Sequence, residues 1–304
     1  MHDKFLRHFV IFWHLFFGIY LLLAGQSRLL FSGERGSSAP FISGDTFKAH
    51  ADHIFDETTK TFYPKKVRAG DVVFVKTDWE HLRIFFRRYH PQIVSPYILL
   101  THNSDHSAPG PFSKYLEDPK LLAWFAQNVE AEPHPKLHPI PIGIANKCWG
   151  HGEPRIFSSS MALEKDQDRP YLCYLNFQPS TYPKERTFVW DLFAKQSWCV
   201  VSEPKALASY LQDLSRSKFV LSPRGNGLDC HRTWEALLMG AIPIVRTSSL
   251  DPLFSDLPVL IVKNWEIISP SYLNEQYELI RQKTYNLEKV FIQYWIQRIF
   301  SKKS

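Results

Sequence analysis

Cysteine is scarce in this chain, and the four present are scattered: Cys148, Cys173, Cys199 and Cys230. None forms a CxxC pair or sits with histidine at zinc-ligand spacing, which argues against a zinc module or a disulfide framework. Cys173 and Cys199 fall in apolar, strand-like runs and read as buried thiols. Two nucleotide loops are missing as well. No GK[ST] follows a glycine loop, so the phosphate-gripping lysine expected of a kinase or sulfotransferase is absent, and there is no GxGxxG. No Lys/Arg run with interleaved aromatics marks a nucleic-acid face. Short internal repeats and low-complexity tracts are absent too.

What is present suits a globular α/β protein. The 304 residues suffice for one large domain or two of roughly 100–150 residues. Hydrophobic residues make up 44% and charged ones 22%, an ordinary balance. Aromatics reach 15%, which suits both bulky cores and sugar-binding clefts. The net charge of +6 favours anionic partners such as nucleotides, acidic glycans or membrane surfaces.

One long apolar run exists. Residues 9–25 are broken only by His14 and follow the basic Lys4 and Arg7. Residues 1–25 are therefore expected to form a signal anchor, with the N-terminus cytoplasmic and the body across the membrane, in the ER or Golgi lumen of a eukaryote. Cleavage near residues 23–25, with secretion, is the alternative. A buried N-terminal helix fits the all-round apolar pattern less well. Residues 26–45 are polar and rich in Gly and Ser, as a linker would be.

Beyond them the pattern alternates. Residues 46–165 give a first α/β unit: strands at 71–76 and 97–101, a helix with Trp79, Leu82, Phe86 and Tyr89 on one face, a helix near 121–125, and an extended segment at 137–144. The polar connection 147–169 marks the boundary. Residues 166–304 give a second unit: strand 171–177, helix 183–195, strand 198–201, a helix after Pro204 with Leu207, Tyr210, Leu211 and Leu214 on one face, strand 218–222, a helix, strands 241–245 and 259–262, helix 271–283, and an amphipathic last segment 287–300. Two α/β halves facing a cleft are expected.

The chemistry gathers in residues 218–246, KFVLSPRGNGLDCHRTWEALLMGAIPIVR. Pro223 ends a strand, and Arg224-Gly225-Asn226-Gly227 form a loop that permits close backbone approach. Asp229 is the expected N-cap, and Gly240 the helix stop. Arginines at a helix start fit a diphosphate, and a glutamate one to two turns on fits a ribose diol. Arg224, Asn226, Asp229, His231, Arg232 and Glu235 are the candidate ligands of a nucleoside diphosphate. A capped helix with an exposed, salt-bridged face is the plainer reading of the same residues.

This stretch, with Asn176-Phe177 and Tyr182-Pro183-Lys184-Glu185-Arg186 upstream, resembles the donor half of exostosin-type glycosyltransferases over residues 171–263. The resemblance implies the GT-B fold, two Rossmann-like α/β domains facing a cleft, and inverting transfer from a UDP- or GDP-linked sugar to a glycan or other hydroxyl acceptor. It adds Arg186 to the donor residues and implies no cofactor beyond the nucleotide sugar. Fucosyltransferases of a neighbouring family share the helix-to-Pro-Val passage, but His231-Arg232 replaces their acidic, lysine-bearing helix. For the base that deprotonates the acceptor, Asp105 and then His106 are expected, at the end of strand 97–101, with Asp78 and Glu80 in reserve. Asp166-Gln167-Asp168 has the letters of a metal-binding DxD, but it lies before a strand, and no metal site is expected there or at His102, Asp105 and His106. A non-catalytic glycan-binding protein retaining the fold is the alternative.

Overall fold

The computed structural model describes residues 36–59, 61–163 and 168–303. The expected signal anchor, most of the linker and Asp166-Gln167 lie outside the described residues. Among the described residues, no helix is long and apolar enough to cross a membrane. The linker reading stops short of residue 45, because Phe41, Ile42, Ser43 and Asp45 are buried. There Ser43 caps the short helix α1 (Gly44–Lys48), accepting the Thr46 N–H.

The first half is a five-stranded parallel sheet in the order β1-β2-β3-β4-β5. Its strands are β1 (His53–Phe55), β2 (Val72–Lys76), β3 (Tyr97–His102), β4 (Leu121–Ala126) and β5 (Leu137–Pro139). Helix α2 (Trp79–Ile84) continues through a wider turn, Phe85–Tyr89, between β2 and β3. The helix expected near 121–125 is instead strand β4. Its LLAWFA run pairs with β3 on one side and β5 on the other. A strand interior to a parallel sheet is covered on both faces and reads as a continuous apolar run, so periodicity cannot separate it from a buried helix. Trp124 donates its indole N–H to Thr101 Oγ1 of β3 at 2.9 Å.

The second half is also a five-stranded parallel sheet, ordered β10-β9-β8-β6-β7. Helix α3 (Pro154–Leu163) precedes it, followed by β6 (Tyr171–Leu175), α4 (Pro183–Phe193), β7 (Cys199–Val201), α5 (Leu207–Ser215) and β8 (Ser217–Leu221). Then come α6 (His231–Leu238), β9 (Ile242–Arg246), α7 (Asp251–Phe254), β10 (Leu260–Val262), α8 (Pro270–Arg281) and α9 (Ile292–Phe300).

The pleat divides the second sheet between two cores. Cys173, Leu175, Phe219, Leu221, Ile242 and Ile244 face one core with Trp265. Tyr174, Val220 and Val245 face the other, which runs on beneath the first sheet. Cys173 and Cys199 are buried free thiols opposite each other on β6 and β7, as their apolar settings suggest.

The last segment departs from the sequence reading. Residues 287–303 were expected with the second half; 287–290 do stay there, with Lys289 bonded to Ser255, but 291–303 pack against the first. Phe291 bridges to Phe41, Ile292 N–H donates to Pro40 O, and Lys303 pairs with Asp52 at 3.3 Å. The buried stripe Ile292, Trp295, Ile296 and Ile299 is the apolar face of α9.

Candidate functional site

The order of the second sheet creates the site. The chain leaves β6 toward β7 on one side and β8 toward β9 on the other. Between two such strands their carboxyl ends leave a crevice, where open α/β sheets bind ligands. A cavity of about 430 Å³ lies there, within the roughly 300–1,000 Å³ range of small-molecule sites.

Asn176 and Phe177, after β6, form part of the wall. Gly225, Asn226 and Gly227 come from the loop after β8. His231, Arg232 and Glu235 come from the first turns of α6, Arg186 from α4, and Tyr210 from α5. Asp105, Ile142 and His151 close it from the first half. Asp105, Arg186, Asn226, Asp229, His231, Arg232 and Glu235 of the sequence candidates are therefore brought together. Arg224 and His106 are not among the lining residues.

Two guanidiniums dominate the electrostatics. Arg186 is 7% exposed and donates Nε to Arg224 O at 2.8 Å and Nη1 to Gln178 O at 3.2 Å. Arg232 donates Nε to Asn176 O at 3.0 Å, while its buried Nη1 has no hydrogen-bond partner. Both lie over the Phe177 ring, at 5.6 and 5.2 Å. Neither forms an ion pair with a carboxylate among the described residues. Burial, then the neighbouring Arg232, holds the Arg186 pKa below its ordinary value. Two cations crowded together with an unmet donor, beside the positive end of α6, make a place for a polyanion.

Glu235 lies one turn into α6 and is 5% exposed. Its Oε2 accepts the Tyr210 hydroxyl at 2.9 Å. Burial pushes its pKa up to about 7, against the Tyr210 hydrogen bond and the Arg232 charge. Tyr210 itself looks from sequence like one more member of the apolar stripe of α5. Only the tendency of a buried tyrosine hydroxyl to find a partner could have flagged it.

Asp229 is not the N-cap. Cys230 holds that position, without a side-chain cap bond. The Asp229 carboxylate instead accepts Ile142 N–H and the Trp234 indole N–H, each at 2.8 Å, and Cys230 N–H at 2.9 Å. Its own N–H donates to Asn128 Oδ1 at 2.8 Å. Burial raises its pKa to about 6 despite those three donors. Asp229 thus ties α6 to the first half. Asn128 shares the task, and a Cβ on Gly227 would lie 2.6 Å from its Nδ2, so that close approach requires glycine.

His231 adds a third tie, with Nδ1 2.7 Å from Gly143 O. Arg224 turns away, pairing with Glu130 at 3.1 Å and covering the Tyr182 ring at 4.8 Å. His106 is exposed, hydrogen-bonded to Ser104 Oγ at 3.0 Å and tilted against the Trp79 ring at 5.1 Å. Asp78, held in reserve, caps α2 and pairs with His81 at 2.8 Å; burial opposes, but the His81 bonds and the Lys76 charge bring its pKa down to about 2. Both His102 nitrogens are engaged, with Pro141 O and Asn103 N. Among the described residues, no three His, Cys, Asp or Glu side chains are grouped to hold a metal.

Residues 155–302 match the family model described as the RXYLT1 C-terminal domain, a region that includes the stretch resembling exostosin-type enzymes. Solved structures with some similarity include an alpha1,3-fucosyltransferase, 12% identical with a TM-score of 0.42, covering 79% of each chain. Another is a GtfA/B complex, 13% identical with a TM-score of 0.38, covering 78% of this chain and 58% of that one. Among curated proteins, human ribitol-5-phosphate xylosyltransferase 1 is 24% identical over 184 residues, 51% of this chain and 40% of that protein. The chain thus spans about two fifths of the relative it matches, and the match with the RXYLT1 C-terminal domain places the cavity's arginines, His231 and Glu235 inside the shared region.

Proposed function

We propose that this protein is a GT-B-type glycosyltransferase that moves a sugar from a nucleoside-diphosphate donor to an acceptor hydroxyl. The observation that carries the reading is that Arg186, Arg232 with its unsatisfied Nη1, and Glu235 all line one cavity at the start of α6. The guanidiniums meet the diphosphate, and Glu235 accepts the ribose hydroxyls. The acceptor oxygen attacks the anomeric carbon from the face opposite the diphosphate. The carbon–oxygen bond to the diphosphate breaks, its electron pair stays with the nucleotide, and the configuration inverts. Charge developing on the leaving oxygen is stabilised by groups already in place, which need no reorganisation as the bond breaks. The reading therefore assigns that task to protein cations, with no metal and no cofactor beyond the donor.

The matched relative's name supplies a specific version: xylose as the sugar and a ribitol 5-phosphate unit as the acceptor. The net charge of +6 suits an anionic acceptor. A membrane-anchored enzyme acting in a lumen completes the reading through the apolar run at residues 9–25.

Transfer is tested on the full chain with a panel of UDP- and GDP-sugars, UDP-xylose with ribitol 5-phosphate first, with and without EDTA. Turnover with one donor, unchanged by EDTA, is expected. Turnover lost to EDTA contradicts metal independence alone. No turnover with any donor, together with nucleotide-independent glycan binding, contradicts the enzyme reading.

A further inference from the structure

His231 was expected only to hold the donor, but its hydrogen bonding fits another task. Its Nδ1 is 2.7 Å from Gly143 O. A carbonyl oxygen can only accept, so Nδ1 carries the proton. In the neutral ring Nε2 is then an unprotonated acceptor. No described residue is hydrogen-bonded to Nε2, and His231 lines the cavity, so this nitrogen is the one available to a bound substrate. The anchor is rigid. Gly143 has φ +67°, and its amide follows Ile142, whose N–H is held by Asp229. The imidazole is thus fixed in tautomer and orientation at the junction of the halves, one residue from Arg232.

The charges facing the ring come from several elements. Asp105 follows β3 and His102 ends it; His151 lies on the connection before α3; Arg232 shares α6. Asp105 favours the imidazolium, whereas burial and the charges of His151 and Arg232 oppose it; burial leads, and the pKa lies below its ordinary 6.5. His102 is itself held neutral, with its pKa lowered to about 4 by burial. At neutral pH the ring is therefore free to take a proton, and Asp105 is placed to stabilise the cation that results.

We propose that His231 is the general base of the proposed transfer, its Nε2 taking the acceptor hydroxyl's proton as that oxygen attacks the anomeric carbon. Asp105, the first expectation for this role, instead acts on the imidazole through its charge. The new carbon–oxygen bond forms as the bond to the diphosphate breaks, and the proton passes from Nε2 to water after the product leaves. The inference rests on the glycosyltransferase reading.

The experiment compares wild type, His231→Asn and His231→Ala in the full chain. The asparagine amide can still donate to Gly143 O but offers no base. UDP affinity is measured by calorimetry, and transfer by UDP-xylose turnover with ribitol 5-phosphate. The account expects His231→Asn to bind UDP within about threefold of wild type while kcat falls roughly 100-fold or more. The acidic limb of the wild-type kcat profile should vanish in both variants, and added imidazole should restore part of the activity of His231→Ala. A kcat within tenfold of wild type, or a rise in donor KM with kcat unchanged, overturns the assignment and leaves the transferase reading standing. A wild-type protein that neither binds UDP nor transfers sugar overturns both.

Discussion

The two arginines of the cavity are cations without anions, and that imbalance defines the site at the scale of single residues. Arg232 keeps a buried Nη1 unsatisfied beside Arg186, an arrangement that costs stability unless a ligand answers it. Glu235 adds a cost of its own. Its pKa is raised from 4.5 to about 7 by burial. A carboxyl that holds its proton more tightly in the fold contributes stability that is fully present below pH 4.5 and lost as pH rises through about 7. At about 1.4 kcal/mol per tenfold change, the loss is roughly 3 kcal/mol. Asp229, raised to about 6, acts in the same direction. Glu235→Gln should therefore lose less melting temperature between pH 5 and pH 8 than wild type. Equal slopes in thermal scans would show that the ionised carboxylate carries no such penalty. Residue types and spacing in 218–246 marked Arg232 and Glu235 as candidates, while Arg186, upstream of that stretch, came in only through the resemblance; the structure brings all three to one cavity. Types and spacing could not show that Arg224 swings out to Glu130, because loop side chains choose partners across the fold.

At the scale of elements, the site depends on how the start of α6 is held against the first half. Asp229, Asn128, Gly227 and the His231–Gly143 bond make that joint. A Cβ on Gly143 would meet Ile42 O at 2.1 Å, and the residue has φ +67°. Gly143→Ala is therefore expected to destabilise the protein by roughly 3 kcal/mol, from backbone strain and a backbone clash together. A melting temperature unchanged from wild type would remove the tight packing from the account. The periodicity of 218–246 correctly places the strand–loop–helix–strand unit, since local signals such as Pro223 and Gly240 (φ +71°) mark its bounds. Asp229 as an N-cap was the reasonable local reading, but its carboxylate is taken by the distant Ile142 N–H together with the nearby Trp234 indole and Cys230 N–H. Strand β4 escaped for another reason: buried on both faces, its LLAWFA run has no alternation to tell it from a buried helix.

For the whole molecule, the pattern of alternating strands and helices made two parallel α/β halves legible. The strand order was not, and it is the order β8-β6-β7 that opens the crevice. The return of the chain was also hidden. Helix α9 belongs to the second half by sequence position and packs against the first by contact, and one apolar core runs through both halves. Trp295 is 3% exposed and donates its indole N–H to Lys289 O at 2.8 Å. Trp295→Ala should cost about 3–5 kcal/mol and lower the midpoint of urea unfolding for both halves together. Unfolding of the second half alone would mean that the core is not shared.

The central claim is that the crevice holds a nucleoside diphosphate through its unpaired arginines. Calorimetric titration of UDP into wild type and Arg232→Ala tests it most directly. The account predicts one equivalent bound per wild-type chain, displaced by UDP-xylose, and an affinity roughly 10–100-fold weaker in the variant, as loss of a charge-assisted hydrogen bond requires. Equal affinities, or no binding by the wild-type chain, would contradict it.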